Sequence, residues 1–230
     1  MDETLKKRVY SPYSNTVEYC IVEGKSGIHY PGVRIENISF PLTISAVRGA
    51  ICSCLGNGDE PHVLYQPEPT SELLNYWVDE YNLSQEKELP DSLNLYDALI
   101  SKTTDSESLL KELAKKSHTQ HSNFPVAVLL DVSDGYICGV NVEVSSWSLG
   151  LCAERVAIFR AISAGFREFE KITVSAPKGD FSSPCGACRQ VMAEWMPRQR
   201  VELHHGDGSL STHNIAQLLP HGFTSGNLKK

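Results

Sequence analysis

The chain repeats its own sequence pattern at one constant spacing, and this repeat constrains the fold more than any other feature. Gly-Val-Arg-Ile-Glu-Asn at 32–37 resembles Gly-Val-Asn-Val-Glu-Val at 139–144, and Ser-Ala-Val-Arg at 45–48 falls where Cys-Ala-Glu-Arg falls at 152–155. Both pairs are 107 residues apart, since 139 − 32 and 152 − 45 give the same number. Two units of ordinary domain size fit within 230 residues. The repeat therefore predicts two copies of one fold.

Local patterns predict the order of helices and strands in the second copy. A capping-box sequence that starts at Thr104 predicts a helix that continues to Lys116. The dipeptide Asp134-Gly135 is typical of a hairpin turn between two strands. The predicted order is helix, two strands, helix, strand, helix and strand, at residues 104–116, 124–131, 136–142, 153–163, 171–175, 186–195 and 200–204.

The same order can be traced between Thr4 and Ile100, and it determines the predicted fold class. It indicates an α/β chain of two tandem domains, each a mixed β-sheet with helices on both faces in three layers, α/β/α. The short polar stretch at 101–105 is typical of a linker. We therefore divide the chain into a first half, residues 1–100, and a second half, residues 106–230.

Three cysteines of the second half have the pattern of a catalytic zinc site. Cys152 is followed two residues later by Glu154, and Cys185 and Cys188 stand in a Pro-Cys-x-x-Cys segment. Structural zinc takes four protein ligands, whereas three leave a position for water, and zinc-dependent nucleobase deaminases add a glutamate that is not a ligand. A redox pair or a structural zinc site would leave Glu154 without a role.

The environment of these cysteines also favours a bound metal. The ligand groups precede the predicted helices at 153–163 and 186–195, so the positive ends of both helices would face the metal. Three thiolates exceed the charge of Zn²⁺ by one unit. The helix dipoles and the adjacent Arg155 can offset that excess.

These motifs together resemble those of the cytidine deaminases of nucleoside salvage, over about residues 107–228. Besides the cysteines, the resemblance rests on Ser-Asn-Phe at 122–124, Asn-Val-Glu at 141–143 and Leu-Leu-Pro-His-Gly-Phe at 218–223. It implies that the substrate-binding residues are Phe124, Asn141, Glu143, Ala153 and Phe223. The two phenylalanines would form apolar walls, Phe223 often for a neighbouring subunit, and Asn141 and Glu143 would hold the ribose hydroxyls.

The resemblance implies hydrolytic deamination of cytidine or deoxycytidine to uridine or deoxyuridine and ammonia, as in pyrimidine salvage. One zinc ion per chain, bound by Cys152, Cys185 and Cys188, would activate water for attack on C4 of cytosine, and Glu154 would transfer the protons. Two alternatives remain open. One is deamination of another cytosine-containing small molecule, such as a nucleoside antibiotic, and the other is a silent, zinc-stabilised interaction module.

Several residues leave the finer substrate preference open. Gln120 and His121 stand where many relatives have Pro-Tyr, and Val144 stands where many have Asn. The Asn141 and Glu143 pair favours a substrate with a free ribose. Glu154 argues against the interaction module, because a structural site has no use for this carboxylate.

The first half lacks the residues that the resemblance makes catalytic. Ser45 and Val47 replace the first thiolate and the acid/base carboxylate, and residues 67–74 contain no cysteine. The substrate-binding positions are also changed, with Thr16, Arg34 and Leu93 in place of Phe124, Asn141 and Phe223. Cys52 and Cys54 would lie inside a helix as core residues or free thiols. Glu36 keeps its position, but a carboxylate that binds hydroxyls has no purpose in a site without zinc. We therefore predict a non-catalytic first domain.

Charge and hydropathy exclude several classes of partner. The balance of Lys+Arg and Asp+Glu is 8 − 16 = −8 for residues 1–105 and 13 − 12 = +1 for residues 106–230. A basic groove for nucleic acid is therefore not expected. No run of about 18 apolar residues predicts a membrane span, and the acidic start is unlike a signal peptide.

Two expectations concern location and assembly. Thiolate ligands must stay reduced, which favours the cytoplasm. A chain with two domains can pair with itself to imitate four single-domain subunits, so we expect a homodimer that acts on a small nucleoside.

Overall fold

Each half of the chain builds its own β-sheet. The computed structural model describes residues 2–66, 73–90, 92–103 and 105–228. The first half contains α1 (Asp2–Arg8), β1 (Tyr19–Gly24), β2 (His29–Val33), α2 (Ala46–Leu55), β3 (Pro61–Tyr65), α3 (Leu74–Tyr81), β4 (Ser84–Glu86) and β5 (Leu99–Ile100). The second half contains α4 (Ser106–Ala114), β6 (Ala127–Val132), β7 (Gly135–Val140), α5 (Ala153–Ala164), β8 (Lys171–Ser175), α6 (Gly186–Trp195), β9 (Arg200–His204), β10 (Leu210–Asn214) and α7 (Ile215–Leu218).

The strand order confirms the repeat. The first sheet has the order β2-β1-β3-β4, and the second contains the equivalent order β7-β6-β8-β9, extended by β5 at one edge and β10 at the other. Within the four equivalent strands of each sheet, the first two pairings are antiparallel and the third is parallel. The added strands β5 and β10 pair antiparallel with their neighbours. The predicted mixed sheets of an α/β fold are therefore confirmed. No helix in the described part of the chain combines the length and apolar character needed to cross a bilayer.

The central strand β6 shows the layering of the second half. All six of its residues are buried, as in strands covered on both faces. Because side chains alternate along a strand, Val128 and Leu130 join the main core, while Ala127 and Leu129 form a smaller core with Leu110 and Leu113 of α4 and others. Helices α4 and α5 thus enclose the sheet from opposite sides.

Helix α5 connects the cores of the two halves. It is buried around its whole circumference up to Ser163, because its own sheet covers one side and α2 of the first half lies close on another. A Cβ at Gly49 of α2 would lie 1.9 Å from the ring of Phe159, so only glycine permits this approach. Nearby, Arg160 donates through Nε to Ser53 Oγ at 2.9 Å. The main hydrophobic core therefore runs through both halves.

Helix α6 also contacts the first half. Glu194 near its end accepts hydrogen bonds from the hydroxyls of Tyr10, at 3.0 Å, and Tyr13, at 2.8 Å. Its other carboxylate oxygen accepts the amide of Ile38 at 2.8 Å. Both helices that follow the cysteine motifs are thus attached to the first half.

The boundaries of most predicted elements agree with the structure. Strands β8 and β9 and helix α6 begin and end at the predicted residues. Strand β6 starts at Ala127 and not at Phe124, because the amide of Val126 binds the side chain of Asn141 and not a neighbouring strand. Strand β10 and helix α7 were not predicted, since a short polar strand at a sheet edge carries little hydrophobic pattern.

Three details differ from the sequence analysis. Thr104 lies outside the described residues, and the side chain of Asp105 caps α4 by accepting the amide of Ser108 at 2.8 Å.

In the β6–β7 hairpin Val132 pairs with Gly135, so the glycine begins the strand and is not within the turn. A Cβ added at Gly135 would lie 2.3 Å from the carbonyl oxygen of Ile100, so the absence of a side chain permits the close approach of β5. Strand β5 pairs with β7, so the end of the first half joins the second sheet; the domain division stays a prediction.

Candidate active site

Two helix N-termini bring the three cysteines of the motif together. Cys152 is the N-cap of α5, Cys185 is the N-cap of α6, and Cys188 lies in the first turn of α6. The Sγ atoms of Cys152 and Cys185 are 3.7 Å apart, those of Cys185 and Cys188 are 3.5 Å apart, and all three lie within 4.8 Å of one another. Tetrahedral zinc at about 2.3 Å from each sulfur requires sulfurs about 3.8 Å apart. The three side chains therefore fit a zinc ion.

The sulfur cluster favours a negative charge at this point. Hydrogen bonding with Cys152 and Cys188 lowers the pKa of Cys185. The same contacts raise the pKa of Cys152 and of Cys188. The N-termini of two helices stabilise a thiolate, which is the form of cysteine that binds a metal.

Glu154 lies in the first turn of α5, beside the cluster. Its residue is 3% exposed, it lines the same cavity as Cys152 and Cys185, and burial raises the pKa of its carboxyl to about 7. A carboxyl group with a pKa near the working pH can both accept and deliver a proton. The cluster of potential metal ligands found among the described residues consists of the three thiols and does not include Glu154.

An apolar cavity of about 460 Å³ opens beside the cysteines. Its aromatic lining consists of Phe124, Trp147 and Phe181, and Ala153 contributes near the cluster. A cavity of this size and character, with few polar groups, is typical of a small-molecule site. The structure thus brings Phe124 and Ala153, both predicted from the sequence, to the same cavity as Glu154.

Asn141 and Glu143 line the cavity and also hold the segment that carries Phe124. Asn141 donates through Nδ2 to the carbonyl of Phe124 at 2.9 Å. Glu143 accepts the amides of His121 at 2.8 Å and Ser122 at 3.1 Å, and the hydroxyl of Ser122. Part of the role of this pair is therefore to fix the wall of the cavity.

The equivalent glutamate of the first half has the same contacts. Glu36 accepts the amides of Tyr13 at 3.0 Å and Ser14 at 3.1 Å, together with the hydroxyl of Ser14. Arg34 also donates to it at 3.0 Å. Glu36 therefore organises a loop whether or not a catalytic site lies beside it, and the loss of its hydroxyl-binding role stays a prediction.

Two of the predicted site residues point elsewhere. Phe223 is 47% exposed and does not line the cavity of its own chain, and its carbonyl accepts a hydrogen bond from Gln190 at 2.6 Å. The buried Arg155 donates through Nη2 to the carbonyl of Leu42, in the first half, at 2.9 Å. Its Nε has no hydrogen-bond partner among the described residues. Its proposed effect on the thiolates therefore acts through charge and not through a hydrogen bond.

Sequence reasoning missed two aromatic residues of the cavity. Trp147 begins the short 3₁₀ helix Trp147–Leu149 at the position equivalent to Phe40, which begins Phe40–Leu42. Both residues are largely exposed. An aromatic residue therefore stands at the same position of both repeats, and this was a signal in the sequence that could have indicated Trp147. Phe181 lies in the loop between β8 and α6 and stacks on His205 with ring centroids 4.4 Å apart. No spacing in the sequence indicates that this loop reaches the cavity.

The first half keeps a cavity at the equivalent place, with different chemistry. It measures about 620 Å³. The residues at the positions of Phe124, Asn141, Trp147 and Cys152 are, in that order, Thr16, Arg34, Phe40 and Ser45. Ser45 caps α2 by accepting the amide of Arg48. Within the described residues, no cluster of potential metal ligands forms in this half, and Cys52 and Cys54 are free, buried thiols as predicted.

Part of the chain is similar in sequence to known proteins. The family model of the cytidine and deoxycytidylate deaminase zinc-binding region matches residues 102–203. A cytidine deaminase of Sporosarcina psychrophila is 40% identical over 132 residues, which are 54% of this chain and 95% of that protein. Another, from Halalkalibacterium halodurans, is 38% identical over 126 residues, 53% of this chain and 96% of that protein. The crystal structure of cytidine deaminase from Burkholderia pseudomallei, 38% identical, covers 52% of this chain and 100% of its own, with a TM-score of 0.48.

Proposed function

The chain belongs to the cytidine deaminase family, and from this premise we propose how its own residues carry out the deamination of cytidine. The enzyme is a zinc-dependent hydrolase that converts cytidine to uridine and ammonia. The observation that carries the assignment of residues is the convergence of Cys152, Cys185 and Cys188 beside the buried carboxyl of Glu154, at one apolar cavity.

The three cysteines and Glu154 have distinct tasks in the proposed mechanism. Cys152, Cys185 and Cys188 would hold a zinc ion as thiolates, and this ion would make a water molecule acidic enough to act as a nucleophile near neutral pH. Glu154 would accept one proton of the water as its oxygen bonds to C4 of cytosine, and would pass that proton to N3. It would then take the proton that remains on the added oxygen and pass it to the amine. The C4–N bond breaks, the amine leaves as ammonia, and the added oxygen remains as the carbonyl of uridine.

The remaining residues position the substrate. Phe124 packs against the pyrimidine ring, and Ala153 contacts the base beside Glu154. Asn141 and Glu143 bind the ribose while they hold the Phe124 segment. Binding the remote sugar lowers the barrier of the chemical step by fixing geometry, so free cytosine should react much more slowly than cytidine. Deoxycytidine is proposed as a second substrate.

Metal removal tests the proposed function directly. We expect the purified protein to release ammonia from cytidine, to lose this activity on dialysis against a chelator, and to regain it with zinc. A substrate panel of cytidine, deoxycytidine, free cytosine and a cytosine nucleoside antibiotic separates salvage from the alternative activity. Turnover that survives complete removal of zinc, or a preference for the antibiotic over cytidine, would contradict the proposal.

We further propose a cytoplasmic homodimer with one zinc ion per chain. Phe223 is half-exposed outside its own cavity, and Phe40 and Trp147 are 83% and 66% exposed, so apolar surface is available for a second copy. In the proposed dimer, Phe223 completes the cavity of the partner. Light scattering combined with activity assays over a range of concentrations should show a dimer whose dissociation lowers activity. A fully active monomer at low concentration would contradict this proposal.

A further inference from the structure

One arginine of the non-catalytic first half reaches the wall of the catalytic cavity. Arg48 lies in the first turn of α2, and its side chain extends into the second half. Nε donates to the carbonyl of Leu149 at 2.9 Å, and Nη2 donates to the carbonyls of Gly150 at 2.8 Å and Ser148 at 3.2 Å. One guanidinium thus binds three consecutive carbonyls of the other half.

These carbonyls belong to a segment that forms part of the site. Trp147, Gly150 and Leu151 line the catalytic cavity, and the next residue is the ligand Cys152. The carbonyls lie at the end of the 3₁₀ helix Trp147–Leu149, where backbone oxygens lack partners within the helix. A cation at this end satisfies them and complements their partial negative charge. Arg48 is 9% exposed, so water does not readily replace it.

The repeat shows which features of the motif the first half has retained. In Cys-Ala-Glu-Arg of the second half, Cys152 and Glu154 belong to the chemistry, and the equivalents in the first half are Ser45 and Val47. The arginine is present in both. Arg155 makes the reciprocal contact, but with one carbonyl only, that of Leu42. The exchange between the halves is therefore unequal, with more hydrogen bonds directed at the catalytic side.

We propose that Arg48 is a positioning residue of the deaminase, which fixes residues 147–151 and so the nucleoside-binding wall next to Cys152. The inference rests on the proposed function, and it gives the first half a part in shaping the catalytic site. Arg48 itself does not line the catalytic cavity. Its effect is expected mainly on KM, because the segment it holds lines the cavity, while proton transfer belongs to Glu154.

The test compares three variants of the full-length protein. Arg48→Met keeps the length of the side chain but removes its donors, and Arg48→Lys keeps the charge without the planar fork. Arg8→Met is the matched control, since Arg8 also crosses from the first half to a carbonyl, that of Ser163 at 2.7 Å, at the far end of α5. For each protein we would measure kcat and KM for cytidine, zinc content and the midpoint of unfolding.

For Arg48→Met we expect kcat/KM for cytidine to fall about tenfold or more, mainly through KM and with zinc retained, because misplacement by about 1 Å can cost up to about 100-fold. Arg48→Lys should have kinetic constants for cytidine between those of Arg48→Met and the parent. If Arg48→Met does not fold, the kinetic constants of Arg48→Lys test the proposal instead. Arg8→Met should stay within about twofold of the parent even if it unfolds earlier. Unchanged KM in the foldable Arg48 variants, or an equal loss in Arg8→Met, would overturn the proposal.

A measurement without turnover separates this inference from the proposed function. Trp147 precedes the three carbonyls and is largely exposed, whereas Trp77 is fully buried and Trp195 is partly buried. The part of the acrylamide quenching of tryptophan fluorescence that is lost when Trp147→Phe is added to a variant therefore reports on this turn. We expect this part to differ from that of the parent in Arg48→Met and to equal it in Arg8→Met. If the parent fails to deaminate cytidine, the proposed function fails, while the quenching result still decides whether Arg48 holds the turn.

Discussion

Replacing Glu154 by glutamine is expected to lower kcat for cytidine by about 10² to 10⁴-fold while the protein keeps its zinc, the range for a positioned acid or base. The amide has nearly the shape of the carboxyl group but cannot accept and return a proton. Glu154 does not belong to the cluster of three thiols, so the metal should stay bound. Turnover from ammonia release and zinc from atomic absorption would be measured on the same sample.

The control for this experiment is another buried glutamate. Glu18 lines the cavity of the first half, is about as buried as Glu154, and accepts the amide of Ala46 at 3.0 Å. Glu18→Gln removes a buried carboxylate outside the catalytic cavity, so kcat should stay near that of the parent even if stability changes. Loss of zinc in Glu154→Gln, or turnover at the parental rate, would refute the assigned role.

Replacing Cys152 by serine is expected to abolish both zinc binding and detectable activity. A hydroxyl is a far weaker ligand than a thiolate, and two remaining sulfurs do not hold the ion in competition with water. The first half already carries serine at this position, as Ser45, and forms no ligand cluster in its described residues. The parent should therefore contain one zinc per chain, and Cys152→Ser almost none.

Cys52→Ser is the matched control, because Cys52 is a buried free thiol of α2, away from the cluster. It should keep one zinc and cytidine deamination, with some loss of stability from a hydroxyl in the core. Two zinc ions per parent chain would contradict the non-catalytic first half. Retention of zinc by Cys152→Ser would mean that other groups hold the metal.

The contacts between the halves give a reason why the first half, which we predict to be non-catalytic, would still be required. Helix α2 packs against helix α5 at two points: the ring of Phe159 lies against Gly49, and Arg160 donates a hydrogen bond to Ser53. At both points α2 carries a smaller residue than α5 does. The residues of the second half equivalent to Gly49 and Ser53 are Val156 and Arg160, 107 positions later. If a second copy of the second half took the place of the first half, Phe159 would therefore face Val156, and Arg160 would face another Arg160. Like charges buried together and an added side chain in a packed core are both destabilising. We infer that the first half is the fitting partner for this face of α5.

Local patterns predicted much of the fold. Helix α6 and strands β8 and β9 were placed correctly because period and turn signals depend on neighbours in the sequence. The pairing of β5 with β7 was missed, since two residues carry no measurable period. Gly135 was assigned to a turn because its real constraint, the carbonyl of Ile100, lies far away in sequence.

The sequence by itself determined the zinc-dependent deaminase family and the duplicated fold. Ligand type, ligand spacing and the repeat distance are properties of the chain, so Cys152, Cys185, Cys188 and Glu154 could be proposed before any coordinates. Only the tertiary structure decided which segments of the two halves meet beside the cavity. Arg48 reaches Leu149, and Phe181 enters the cavity, through contacts between segments that have no fixed spacing. Such contacts depend on how whole sheets and helices pack, and packing leaves no local pattern to detect.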